Sequence, residues 1–230
     1  MQVGRGRGFA GVRAKTSTAV LVWLPCWLPG ALVRQDEQVS DITRPSSFDD
    51  HYIGDWDVWV LGNGLPELPS AVDVDESVPV AYWRLGGWAA VLNLTYVEAD
   101  PEVGEPASLD TDTQSFRWTG REWEMADGSG GTNWFPGLEV RRPSGLGPQD
   151  VVAIHQGSFA TPTWTSAVLD GVAGVEAEAI EVDQAGRRHR QPLDSPVGAW
   201  VAAFDGRQSA TVRVLGRGAV LFESHVAPIG

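Results

Sequence analysis

Residues 78–97 read VPVAYWRLGGWAAVLNLTYV, two apolar runs on either side of Gly86 and Gly87. Both runs are rich in β-branched and aromatic residues, and a two-glycine connection between such runs is typical of a tight hairpin turn. The sequence therefore predicts an antiparallel β-hairpin, with strands over residues 78–85 and 88–97.

Shorter strands are predicted on both sides of this hairpin. Residues 57–61 (DVWVL) alternate polar and apolar side chains and end at Gly62-Asn63-Gly64, which indicates a strand followed by a turn. Downstream, residues 114–118 and 122–125 form a second predicted hairpin around Thr119 and Gly120.

Two intervening segments lack the pattern of a strand. Residues 98–112 hold Pro101, Pro106 and several acids, so we expect a surface loop there. Residues 127–131 (DGSGG) are expected to be a flexible break, because glycine tolerates many backbone conformations.

The second half of the chain is a series of short β-type runs separated by Gly, Pro or Asp turns. Seven such runs at close spacing are typical of a β-sandwich. They cover residues 151–159, 163–169, 179–183, 187–191, 198–204, 210–215 and 219–223.

We therefore predict an all-β protein, either a β-sandwich or two packed small β domains of short antiparallel strands, with little helix. The linker-like segment 141–148 (RRPSGLGP) is the candidate boundary. The predicted divisions are a leader over residues 1–34, a linker over 35–55, a Trp-rich hairpin domain over 56–140 and a seven-stranded immunoglobulin-like sandwich over 149–230.

The charge of the chain excludes one class of partner. The net charge is −13, and residues 1–34 carry five basic side chains and no acid, which leaves −18 on residues 35–230. A surface this acidic repels the phosphate backbone, so we expect no nucleic-acid partner.

The N-terminal segment has some features of an export signal. A basic stretch precedes the apolar residues 17–33, but no small-x-small cleavage site follows, and Pro25 and Pro29 interrupt any spanning helix. Three interpretations stay open: a disordered leader, a spurious one and a degenerate export signal. We expect no membrane association, and the cytoplasm is favoured over secretion.

Three segments carry a resemblance to a group of known proteins. They are the aromatic hairpin at residues 82–92, the run at 118–123 with 127–131 and Trp134, and the stretch PLDSPVGAWV at 192–201. Together they resemble uncharacterised β-rich proteins from high-GC Gram-positive bacteria. The resemblance implies a β-rich fold and no particular activity.

Tryptophan is abundant, at 11 of 230 residues. Trp83 and Trp88 flank one predicted turn, where aromatic pairs stabilise hairpins, so core packing is the favoured interpretation. Flat rings with a polar N–H also suit sugar faces, and a carbohydrate platform would use Trp118, Trp123 and Trp134.

A basic run at residues 187–190 stands out in this acidic chain. Arg187, Arg188 and Arg190 are expected at a hairpin tip, where they could dock an acidic protein partner.

Catalytic and metal-binding patterns are weak. The four histidines are scattered singly, and the acidic pairs at 73–76 and 110–112 do not complete a calcium loop, so we expect no metal and no cofactor. His155 lies in a predicted strand, and the acids between Asp49 and Asp57 are close in sequence to His51; either could serve a hydrolase.

The function predicted from these observations is a non-catalytic β-sandwich that binds a partner, protein or carbohydrate. The alternatives are a carbohydrate- or cell-surface-binding domain that uses exposed tryptophans, and a hydrolase with a site at His155 or at Asp49–Asp57.

Overall fold

The computed structural model of the chain describes residue 44 and residues 53–102, 104–135 and 137–229. The predicted leader, most of the predicted linker, Asp49, Asp50 and His51 lie outside the described residues. No helix among the described residues is long and apolar enough to cross a membrane.

The described chain is one helix followed by eleven strands. In chain order these are α1 (Ile53–Asn63), β1 (Ser77–Leu85), β2 (Trp88–Val97), β3 (Ser108–Trp118), β4 (Trp123–Phe135), β5 (Val151–Ala160), β6 (Thr165–Ala173), β7 (Ala177–Gln184), β8 (Arg187–Pro192), β9 (Ala199–Asp205), β10 (Ala210–Gly216) and β11 (Ala219–Val226). They form three antiparallel sheets, in the orders β1-β2-β3-β4, β11-β10-β7-β8 and β5-β6-β9. The prediction of an all-β protein of small packed sheets is confirmed.

The two predicted hairpins form the first sheet. Leu85 pairs with Trp88 across the glycine turn, and both glycines have positive φ, which a side chain disfavours. Trp118 pairs with Trp123 across the second turn. Local turn chemistry therefore sets the register of both hairpins.

The predicted strand at residues 57–61 is wrong, because this segment belongs to α1. Trp56, Val60 and Leu61 are buried together, at the i, i+4, i+5 spacing of one helix face. Gly64 has a φ of 86° and donates its N–H to the Val60 carbonyl at 2.8 Å, so the predicted turn glycine ends a helix. A run of five residues fits both the two-residue period of a strand and the 3.6-residue period of a helix, and packing decides between them.

Two further local predictions are corrected. β3 begins at Ser108, inside the predicted surface loop, and buries alternate side chains from Leu109 onward. The glycine-rich segment 127–131 lies within β4, where irregular register with β3 accommodates it. A neighbouring strand supplies hydrogen bonds that glycine content alone does not reveal.

All seven strands predicted in the second half are present, as β5 to β11. They divide between the four-stranded and three-stranded sheets. Their description as an immunoglobulin-like sandwich stays a prediction.

The main hydrophobic core draws on both halves of the chain. Trp83 of β1 and Leu92 of β2 belong to the same buried cluster as Val168 of β6, Trp200 of β9 and Val212 of β10. The described residues from 44 onward belong to one compact unit. Residues 141–148 therefore connect two groups of strands that share a core.

A second cluster lies on the opposite face of the first sheet. Trp56, Val60 and Leu61 of α1 pack there against Val91 of β2 and Phe116 of β3. The first sheet is thus buried on both faces, by α1 on one side and by the remaining sheets on the other. This arrangement places the C-terminal end of α1 next to the cleft described below.

Candidate functional site

An open cleft of about 960 Å³ lies beside the C-terminal end of α1. We call it the Tyr82 cleft. Its wall is the loop that follows the helix, together with Tyr82 of β1 and two further chain segments. Its lining residues are Asn63, Gly64, Leu65, Pro66, Glu67, Leu68, Pro69, Ser70, Tyr82, Val140, Arg141, Arg142, Asp194, Pro196 and Val197.

Backbone hydrogen bonds hold two walls of the Tyr82 cleft together. Val140 donates to the carbonyl of Ser70 at 3.0 Å, and Val72 donates to that of Leu138 at 3.1 Å. The segment after the helix is thus tied to the segment that precedes the linker-like stretch. The cleft is formed by residues far apart in the sequence.

Apolar and charged groups both line the Tyr82 cleft. Arg141 is paired with Glu139 at 2.7 Å, and the guanidinium of Arg142 donates to the carbonyl of Ala173. Burial raises the pKa of Tyr82, and the negative charge of Asp194 raises it further. Tyr82 therefore stays a neutral hydroxyl that can donate or accept a hydrogen bond.

Helix α1 is held against the first sheet by a buried polar contact. Asp57 is fully buried, and its Oδ1 accepts a hydrogen bond from Asn93 Nδ2 at 3.0 Å. Its Oδ2 has no hydrogen-bond partner among the described residues. Burial raises the pKa of Asp57 to about 8; the Asn93 hydrogen bond opposes this and Asp112 adds to it. Asp57 is thus mostly protonated at neutral pH.

The described tryptophans are core residues or half-buried ones. Trp83, Trp164 and Trp200 are fully buried, and Trp118 and Trp123 are half-buried. The Trp118 and Trp123 ring centroids lie 5.2 Å apart with planes inclined at 59°, which is a cross-strand pair and not a flat platform. The side chain of Trp134 lies outside the described residues.

The predicted arginine tip forms the strand β8, and the turn itself is Ala185-Gly186. Arg188 lies 3.5 Å from Glu181 and 3.4 Å from Asp183, so it is part of a cross-strand ion network. Arg187 and Arg190 are exposed. The structure therefore brings one of the three arginines into an internal contact and leaves two facing solvent.

His155 is part of a polar contact between two sheets. Its Nδ1 lies 3.3 Å from Asp170 Oδ2, and the same oxygen accepts a hydrogen bond from Thr113 Oγ1 at 2.9 Å. Beside them Ser115 Oγ and Ser166 Oγ lie 2.5 Å apart, both fully buried. β3 and β6 thus meet through hydroxyls and a carboxylate as well as through apolar side chains.

The contact with Asp170 gives His155 a pH-dependent role in stability. The hydrogen bond to Asp170 raises the pKa of His155, against the effect of burial. A raised pKa stabilises the fold below the ordinary pKa of histidine, and this contribution is lost as pH rises through the folded value. We expect His155→Gln to lower the free energy of unfolding by about 1 kcal/mol at pH 6 and by less at pH 8, as measured by urea unfolding.

His189 supplies a control with the opposite sign. Burial lowers its pKa, and Arg187 lowers it further. Because its pKa is lowered, protonation of His189 destabilises the folded state as pH falls. The free energy of unfolding of His189→Gln, relative to the wild type, should therefore be higher at pH 6 than at pH 8. If the stability of both variants changed with pH in the same way, the opposite pKa shifts of His155 and His189 would be contradicted.

An arrangement for catalysis would need more than the contacts of His155. Asp170 orients the ring as the acid of a triad orients its base, but neither His155 nor Asp57 lines the Tyr82 cleft. Among the described residues no group of three or more His, Cys, Asp or Glu side chains is placed to hold a metal ion. The hydrolase hypothesis stays a prediction.

Sequence reasoning missed the Tyr82 cleft entirely. Its one local signal is the segment 64–70, GLPELPS, whose two prolines and one glycine were available as a loop motif. Comparisons with family models, curated proteins and solved structures found no match for this chain, and the resemblance described above stays a prediction.

Proposed function

We propose that the protein is a non-catalytic binding module that holds an extended peptide segment of a partner protein in the Tyr82 cleft. The observation that carries the proposal is the lining of the cleft, which combines leucine and proline surfaces with one phenol and charged groups of both signs. Binding sites for peptides combine apolar contact area with a few polar groups that fix orientation.

The size and position of the cleft favour a peptide over a small metabolite. About 960 Å³ is at the upper end of the range for ligand pockets, and the open cleft is lined by the loop 63–70. Leu65 and Leu68 offer apolar contacts, and Tyr82 offers a hydrogen-bonding hydroxyl. Arg141 and Asp194, both exposed, are placed to select charged side chains of the bound segment.

A selection from a displayed library of random 12-residue peptides tests the proposal. The full chain is immobilised, and enriched peptides are synthesised and titrated by calorimetry. We expect dissociation constants in the micromolar range, on the order of 1–100 µM, as for short peptides that must be ordered on binding.

Two variants locate the binding site. Leu68→Asp and Arg141→Glu, both in the lining, should weaken the selected peptides at least about tenfold. The matched control is Arg121→Glu, which makes the same charge change in the exposed turn between β3 and β4. A library that yields no enriched peptide, or peptides that bind both lining variants at full strength, would refute the proposal.

A glycan array with the same protein separates this function from the carbohydrate alternative. Saturable binding of a sugar that is lost in Trp118→Ala and kept in Leu68→Asp would transfer the function to the Trp118 and Trp123 pair.

A further inference from the structure

Among the described strands, β11 lies at one edge of its sheet. In the order β11-β10-β7-β8 it pairs with β10, and no other described strand pairs with it. Edge strands expose unpaired N–H and C=O groups, and proteins commonly block them with proline, lysine or a covering segment. The sequence of β11, AVLFESHV, has neither proline nor lysine.

The regular part of β11 is symmetric in its chemistry. A register shift between Val214 and Leu215 of β10 leaves an uninterrupted run of five residues, Phe222, Glu223, Ser224, His225 and Val226. Ser224 is flanked by the acid Glu223 on one side and by the base His225 on the other, and then by the apolar residues Phe222 and Val226. When two copies of this run pair antiparallel about Ser224, each acid therefore faces a base and each apolar residue faces an apolar one.

The outer face of this sheet already alternates in charge across its strands. Arg213 of β10 lies 2.6 Å from Glu223 and 3.1 Å from Glu181 of β7, and Arg188 of β8 follows Glu181 at 3.5 Å. The series therefore ends in an acid, Glu223, at the open edge. Opposite charges on directly facing residues of adjacent strands stabilise a sheet, and a carboxylate also accepts hydrogen bonds, so a further strand fits best with a cation or an N–H donor beside Glu223.

We propose that a second copy of this chain adds to the sheet through β11, antiparallel, across a two-fold axis at Ser224. In this register each Glu223 faces His225 of the other copy, and each Phe222 faces Val226 of the other copy. The same contact is made twice, as a two-fold interface requires. The His225 side chain is 73% exposed; within its own chain its Nε2 lies 3.5 Å from Glu223 and its Nδ1 lies 2.9 Å from Thr211 Oγ1, and pairing across the axis brings each Glu223 a second imidazole.

A five-residue pairing is a small interface. Contacts that bury much less than about 1,200 Å² in total belong to weak and transient complexes. The dimer is therefore a micromolar one that depends on protein concentration.

Sedimentation of the full chain tests whether the dimer exists. Between about 5 and 500 µM, the weight-average mass should rise from 24.7 kDa toward twice that value. His225→Glu places two acids against each other and should weaken association at least about tenfold. Val220→Glu makes the same substitution to glutamate on the same exposed strand but outside the symmetric run, and should leave association within about twofold.

Cross-linking tests the register. In a Cys26→Ser background, Ser224→Cys brings two thiols together at the axis, where facing Cα atoms of antiparallel strands are about 4.5–5.5 Å apart, within the range of a disulfide. Mild oxidation should convert this variant to a covalent dimer, and Val220→Cys should stay monomeric. A monomer at all concentrations, or equal cross-linking of both variants, would overturn the proposal.

Discussion

Asp57→Asn should stabilise the protein, and the gain should grow with pH. The wild-type carboxyl holds a proton up to a pKa of about 8, whereas in the unfolded chain it releases that proton near 3.8. Unfolding therefore releases a proton between these values, and stability falls by up to about 1.4 kcal/mol per pH unit over that window. We expect the stability difference between the variant and the wild type to grow by about 3 kcal/mol from pH 5 to pH 8.

Urea unfolding followed by tryptophan fluorescence at pH 5, 6, 7 and 8 measures this difference. The amide of the variant keeps an acceptor for Asn93 Nδ2, so the contact between α1 and β2 survives. Asp73→Asn, at an exposed position, is the control and should follow the wild-type profile. Parallel curves for Asp57→Asn and wild type would show that the carboxyl is not buried in the neutral form.

Asp57→Asn changes a residue of the helix that ends at the Tyr82 cleft. Asp57 lies two turns before Asn63 and Gly64, the first residues of the lining. Asp112 also raises the pKa of Asp57, and two cations contact α1 at other residues: Arg84 donates to the Leu61 carbonyl, and Arg44 lies beside Trp56. The helix that shapes one wall of the cleft is therefore docked on a group that burial penalises when charged.

Gly171→Ala should destabilise the protein by about 3 kcal/mol or more. A Cβ at this position in β6 would lie 2.0 Å from the carbonyl oxygen of Val152 and 2.9 Å from two ring carbons of Trp200. The first contact is with backbone, and Trp200 is fully buried, so neither neighbour can move away without disturbing the core.

Thermal and urea unfolding of Gly171→Ala measure the loss. Gly87→Ala is the matched control, because its Cβ would meet nothing within 4 Å although its φ is 81°. It should cost about 1–2 kcal/mol from the backbone alone. A loss at Gly171 no larger than at Gly87 would show that β5 and β9 separate easily at this point.

Much of the fold could be predicted because its signals are local. The turn glycines Gly86 and Gly87 and the flanking β-branched runs specify a hairpin without reference to the remaining chain. The seven strands of the second half were found for the same reason, since each is a short apolar run between turn residues.

The candidate site could not be predicted, because its parts come from four separate segments. Tyr82, Arg141 and Asp194 show no shared spacing, and the pairing of residues 70–72 with residues 138–140 joins only two of the segments that line the cleft. The tryptophans offered a stronger sequence signal, yet their burial follows from which sheet faces meet.

The sequence by itself determined most of the strands and turns and the strong acidity of the chain after residue 34, since these depend on neighbouring residues and on composition. The tertiary structure alone decided that DVWVL is helical, because the five residues fit both periods and burial of Val60 and Leu61 on the first sheet selects one. It also decided which polar groups are buried. Burial raises the pKa of Asp57, and it places Asp170 where it contacts the ring of His155. Burial is a property of contacts between distant segments, and no local pattern encodes it.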